Sequence, residues 1–112
     1  MDAPALTSEL AALLGLQLVA YLGNVKDVRV VRQWADGSRG ISSTQDVERM
    51  RLALRAALLI MSRDSREVAQ AWFQGLNPLL EDVSPARLLC EGDPAIEGPR
   101  VLAAARQFAG CG

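Results

Sequence analysis

The chain has no histidine, two cysteines, five aromatic side chains and no long apolar run. Each shortage excludes something. Without histidine there is no imidazole to shuttle protons near neutral pH and none to complete a mixed metal set. Cys90 and Cys111 form no CxxC pair, so no zinc or redox motif is encoded, and reduced thiols in a cytosolic protein are the simplest expectation. The apolar stretch at residues 10–22 is interrupted by Gly15, Gln17 and Tyr21 and is shorter than the roughly 20 residues a membrane span needs. No charged segment followed by an apolar one marks a secretion signal. The expectation is a cytoplasmic protein with no membrane role.

What the chain does have is aliphatic bulk. Half of its 112 residues are hydrophobic, mainly Ala and Leu, and only 4% are aromatic. Small and branched aliphatics favour helix packed on helix, so the expected fold is all-α with six or seven helices, as one domain or two small halves sharing a core.

The net charge of −1 hides an asymmetry. Residues 26–66 carry Lys26, Arg29, Arg32, Arg39, Arg49, Arg51, Arg55, Arg63 and Arg66 against five acids, while both flanking segments are acidic. Two different partners, or merely solvated helix faces, would each account for this.

Periodicity and punctuation divide the chain. Residues 6–22 read as a helix capped by Ser8 and broken or bent at Gly15, with Gly23-Asn24 as a turn tolerant of positive φ. Residues 26–35 read as a short helix with Val28, Val31 and Trp34 on one face, closed by Gly37. Ser43-Thr44-Gln45-Asp46 resembles a capping box that starts a long helix to about residue 63, with Val47, Met50, Leu54, Ala57 or Leu58, and Met61 as its apolar stripe. Ser65 starts the next helix, which ends near Gln74. The segment 75–78 breaks the chain, Leu79-Leu80 makes a short turn, and Ser84-Pro85 restarts a helix. Gly92-Asp93-Pro94 ends that helix. Gly98-Pro99 opens the last one, and Gly110-Cys111-Gly112 forms a tail expected to fray.

Two constellations stand out. In residues 18–37 a helix, a glycine turn and a short basic helix make a helix-turn-helix pattern. Arg29 and Arg32 suit guanine edges or phosphates, Gln33 suits adenine, and Lys26 and Arg39 suit phosphates. An ordinary helical hairpin with a basic side has the same spacing. Asp27 and Asp36, at the ends of the short helix, oppose phosphate. The second constellation is residues 72–89: the adjacent aromatics Trp72 and Phe73, an Asn-Pro break, the pair Leu79-Leu80, and a Ser-Pro restart. Adjacent helical residues are about 100° apart, so one aromatic can face the core while the other edges a binding surface.

Catalysis finds little support. Neither cysteine has a base near it in sequence. Glu81 and Asp82 are adjacent and do not converge. Gly37-Ser38-Arg39-Gly40 lacks the phosphate-loop pattern. Ser42, Ser43 and Ser65 are explained as caps and loop residues.

On these residues the chain resembles the Xre/MbcA/ParS family of antitoxins, partners of RES-domain toxins, over about residues 10–110. The first-half pattern is Val31-Arg32-Gln33-Trp34 followed by Gly37, with the long helix at residues 45–61. The second-half signature is Trp72, Asn77, Leu79-Leu80, Pro85, Leu88-Leu89 and Gly110. Many members carry Gly near the position of Asp82 and Arg where this chain has Gln33. The resemblance implies a type II antitoxin, not an enzyme and holding no cofactor, that occludes the NAD-binding cleft of an NAD-consuming toxin. It implies a helix-turn-helix region (1–42), a connecting helix (43–64) and a toxin-binding region (65–112). The implied DNA contacts are Lys26, Arg29, Arg32, Gln33 and Arg39. The implied toxin contacts are Trp72, Phe73, Asn77, Leu79, Leu80, Arg87, Arg100, Arg106, Phe108 and Gly110, with residues 99–112 as the segment that enters the cleft. A homodimer that binds operator DNA and represses its own operon would follow. A helix-turn-helix transcription regulator with no toxin partner is the alternative.

Overall fold

Capping chemistry decides where the helices begin. In a computed structural model describing residues 1–110, helix α1 spans Ala3–Leu14 because the Asp2 carboxylate accepts the Ala5 N–H at 2.9 Å. Pro4 occupies the first turn, where its missing N–H costs nothing. Ser8, the expected cap, therefore lies inside the helix and donates to the Ala35 carbonyl instead. Gly15 at φ +87° ends α1 and separates it from α2 (Leu16–Leu22). At the next turn only Asn24 is left-handed, at φ +63°. Gly23 has φ −84° and is needed for space: a Cβ there would sit 2.5 Å from the Trp34 ring.

Helix α3 (Val28–Asp36) starts two residues later than its pattern suggests, because Asp27 is the residue that caps it. Val31 and Trp34 are buried, Val28 is half-buried, and Gly37 closes the helix at φ +82°. Helix α4 (Thr44–Met61) is capped by Ser43 Oγ, which accepts from Asp46 N–H at 3.2 Å. It buries more than a stripe. Leu52, Ala53, Ala56 and Ile60 are inside along with Met50, Leu54 and Ala57, since α1 and the last helix both pack on it. Leu58 remains exposed.

Ser65 caps α5 (Arg66–Gln74), Asn77 caps a 3-10 turn at Pro78–Leu80, and Ser84 caps α6 (Pro85–Glu91). The last helix, α7, spans Pro94–Phe108 and departs from expectation. Asp93 caps it and Pro94 is its first residue, so Gly98 and Pro99 lie within the helix rather than at its start. Glycine at 98 answers to packing: a Cβ there would be 2.7 Å from Leu52 Cδ1, so the missing side chain lets α7 approach α4. Pro99 gives up one helical hydrogen bond, and the buried contacts of Val101, Leu102 and Ala105 hold the helix together across it.

Among the described residues, seven α-helices and one 3-10 turn thus make an all-α fold with no strand. Leu6, Leu22, Met50, Phe73, Leu89 and Val101 belong to one buried cluster, so both halves of the chain share a core. The radius of gyration, 13.0 Å, matches about 13 Å for a single globule of this length. Among the described residues no helix is long and apolar enough to cross a membrane.

Candidate interaction surfaces

Helix α3 is amphipathic in the way a groove-reading helix has to be. Val31 and Trp34 are buried, and Arg29, Arg32 and Gln33 are exposed on the other side at spacings of three and one. Lys26 and Arg39 flank the helix and are also exposed. Two local pairs temper this surface. Arg29 donates through Nε and Nη2 to Asp27 Oδ2 at 2.9 and 2.7 Å. This side-chain bond is the main reason the Asp27 carboxyl lies below its ordinary range, with the Arg29 backbone N–H adding to it. Arg39 Nη1 reaches Gln33 Oε1 at 3.4 Å. Arg32 and Lys26 make no side-chain hydrogen bond or ion pair among the described residues, although Asp27 still feels the charge of Arg32.

Arg49 leaves the basic surface altogether. Only 6% exposed, it donates through Nε to the Leu89 carbonyl (2.9 Å) and through Nη1 to the Leu22 carbonyl (3.1 Å). It also pairs with Asp46 at 2.6 Å. The carbonyls at helix C-termini lack intrahelical partners and carry partial negative charge, so one guanidinium ties the ends of α2 and α6 to the middle of the fold.

The aromatic pair belongs to the core. Phe73 is fully buried, Trp72 nearly so, and their rings meet edge to face at 5.1 Å. Trp72 also touches Phe108 across to α7, with centroids 6.4 Å apart. Above Trp72 the surface opens into an apolar groove of about 460 Å³, rimmed by Leu76, Leu79 and Phe108, with Ala104 and Gln107 of α7 along its side. Leu76 is 76% exposed, Leu79 58% and Phe108 49%. Three large apolar side chains held in water beside one groove are more than the scattered surface hydrophobics of an ordinary monomer.

The loop that carries Leu79 is held from within. The Asn77 side chain accepts the Leu79 N–H at 2.9 Å, and its backbone carbonyl accepts from Leu80 and Asp82. Leu80 is buried and anchors the loop. Glu81 and Asp82 follow in the left-handed region at φ +59° and +61°, a conformation that costs an L-residue about 1–2 kcal/mol. This is where glycine would relieve the backbone. Glu81 turns back to Arg100, which it meets at 3.2 Å, and Glu97 takes the same guanidinium at 2.8 Å.

Trp72, Asn77, Leu79 and Phe108 therefore meet at one groove, with Arg100 beside Leu79 along α7. Phe73 and Leu80 support it from inside and are out of reach of any partner. Arg87 lies apart on α6, paired with Glu91 at 2.6 Å, beside a different groove of about 540 Å³ near Tyr21 and Gly15. Arg106 lies about 160° around α7 from Phe108, as 3.6 residues per turn requires. It lines a groove against α4. Gly110 follows α7 at φ +75°, and Cys111 and Gly112 lie outside the described residues. Sequence reasoning missed Leu76. An aliphatic residue inside the glycine–asparagine break was the available signal, because a plain linker has no use for it.

No family model matches this chain, and no curated protein or solved structure matches it.

Proposed function

We propose that this chain is a type II antitoxin of the Xre/MbcA/ParS kind. It neutralises a RES-domain, NAD-consuming toxin by docking on it and blocking access to its cleft, and it works by occupancy rather than by chemistry of its own. The observation that carries this reading is the exposed apolar rim of Leu76, Leu79 and Phe108 around buried Trp72. Central apolar side chains presented by a rigid base suit a tight protein interface. Arg100 stands beside this rim, already held by two carboxylates, and would exchange them for acids of the toxin cleft. The exposed face of α3 would bind operator DNA, with Arg32 and Lys26 supplying charge and Gln33 a base contact. Useful affinity from so few cations calls for a homodimer on the DNA.

Co-expression with the product of the adjacent open reading frame tests the reading. The neighbour alone should arrest growth and deplete NAD, and the full chain should restore both. A harmless neighbour, or failure of rescue, ends the proposal. Deleting residues 99–112 is not a clean test, because it removes buried Val101, Leu102 and Ala105 and with them the fold. Leu76→Asp with Leu79→Asp is the informative variant: it should keep its melting temperature and lose neutralisation.

A second reading, a transcription regulator without a toxin partner, draws on the exposed Arg29–Arg32–Gln33 face alone. Salt-dependent binding to its own upstream DNA, with no co-purifying protein and no effect of the Leu76/Leu79 variant in vivo, would favour it.

A further inference from the structure

On the other flank of α7, away from the Leu76–Phe108 groove, lies a second surface that carries Arg106. The groove between α4 and α7 is lined by Leu58, Leu59 and Leu102, with Ser62 at one end, and is framed by Arg55 and Arg106. Its volume is about 320 Å³. Leu58 is 46% exposed. Neither arginine makes a side-chain hydrogen bond or ion pair among the described residues, whereas Arg29, Arg49, Arg66, Arg87 and Arg100 each hold a carboxylate. No acid lines the groove. Arg63 extends the charge toward the end of α7, where a Cβ on Gly110 would stand 3.8 Å from its Nη1.

We propose that this groove docks an acidic amphipathic segment of a second protein partner. One aliphatic or aromatic side chain would sit on Leu58 and Leu102, and flanking carboxylates would pair with Arg55 and Arg106. The unpaired cations fix the sign of the occupant. No aromatic ring lines the groove, which argues for a side chain rather than a base, since nucleic-acid platforms stack bases on aromatic rings. Three cations are fewer than the four to eight of a lipid-binding cluster. The site is separate from the Leu76–Phe108 groove, so two partners, or two parts of one, could be held at once.

The test uses the full chain, labelled for amide NMR, and a synthetic peptide of about four helical turns bearing paired leucines flanked by glutamates. Amide shifts should cluster on α4 and α7 around Leu58 and Arg106. Arg55→Gln with Arg106→Gln should weaken binding at least tenfold without moving the melting temperature, because both side chains are exposed. A peptide of equal charge with its leucines separated should bind at least tenfold more weakly. Shifts on another face, equal binding by the double variant, or equal binding of the rearranged peptide would each overturn the proposal. So would preferential capture, at the same residues, of duplex DNA, of vesicles rich in phosphatidylserine, or of a second copy of this chain. Because the peptide assay contains no toxin, its failure leaves the antitoxin reading standing, and failure of growth rescue leaves this groove standing.

Discussion

Arg49 and Arg51 are two arginines two residues apart in one helix, and they should respond oppositely to the same substitution. Arg49→Met removes a buried guanidinium that serves the carbonyls of Leu22 and Leu89 and the Asp46 carboxylate. Methionine fills comparable space but leaves two buried acceptors and one largely buried acid without a donor. Breaking one side of a buried ion pair costs about 3–5 kcal/mol, and hydrogen bonds to a charged group are worth about 1.5–3 kcal/mol each. These overlap, so about 3–5 kcal/mol is the expected total. For a domain near this size 1 kcal/mol moves the melting temperature by about 4 °C, giving a fall of roughly 12–20 °C. Arg51 is exposed and reaches only the Met1 carbonyl. Arg51→Met should fall within about 0.5 kcal/mol of the parent. Urea unfolding followed by far-UV circular dichroism measures both. A loss below about 1 kcal/mol at position 49, or equal losses at 49 and 51, would refute the claim that Arg49 ties the helix ends together.

Asp82→Gly should raise stability by about 0.5–1 kcal/mol, because the left-handed backbone at φ +61° is free of strain only in glycine; a lower urea midpoint would contradict this. Gly98→Val should cost about 1–3 kcal/mol in thermal unfolding through collision with Leu52, and Leu52→Ala in the same chain should recover part of it. Burial pushes the Cys90 thiol up to about 11 from an ordinary 9.0. In a Cys111→Ser chain, alkylation at pH 8 should therefore be far slower folded than in urea. The sign for stability follows. Below pH 9 both states keep the proton and the contribution is intact. As pH rises from about 9 to about 11 the unfolded state ionises first and stability is lost. Arg32→Ala should reduce the slope of log affinity for upstream DNA against log salt by about one. Arg29→Ala should do less, because Asp27 already offsets its charge.

Much of the fold was legible because it is written in local chemistry. Ser43, Ser65 and Ser84 cap helices where their sequence context puts them, and Gly15 and Gly37 end helices with positive φ. Misreadings came where two physical causes leave one sequence mark. Gly98-Pro99 looks like a helix start, yet the glycine answers to Leu52 on another helix. Ser8 looks like a cap, yet Asp2 stands earlier and takes the role. At the candidate surfaces the sequence singled out Trp72, Leu79 and Phe108 but could not separate Phe73 and Leu80, which are buried, from neighbours that reach solvent.

The sequence by itself determined an all-α chain, its caps and breaks, and the amphipathic basic helix, because these depend on spacing within a few residues of backbone. Only the tertiary structure decided which charges are surface and which are core. Arg49 and Arg55 are alike as letters, but one meets the ends of two helices and the other meets water. Helix spacing sets Arg106 and Phe108 on opposite flanks of α7, but only the tertiary structure decided that one lines a groove against α4 and the other the groove above Trp72, since what a side chain faces depends on elements far away along the chain.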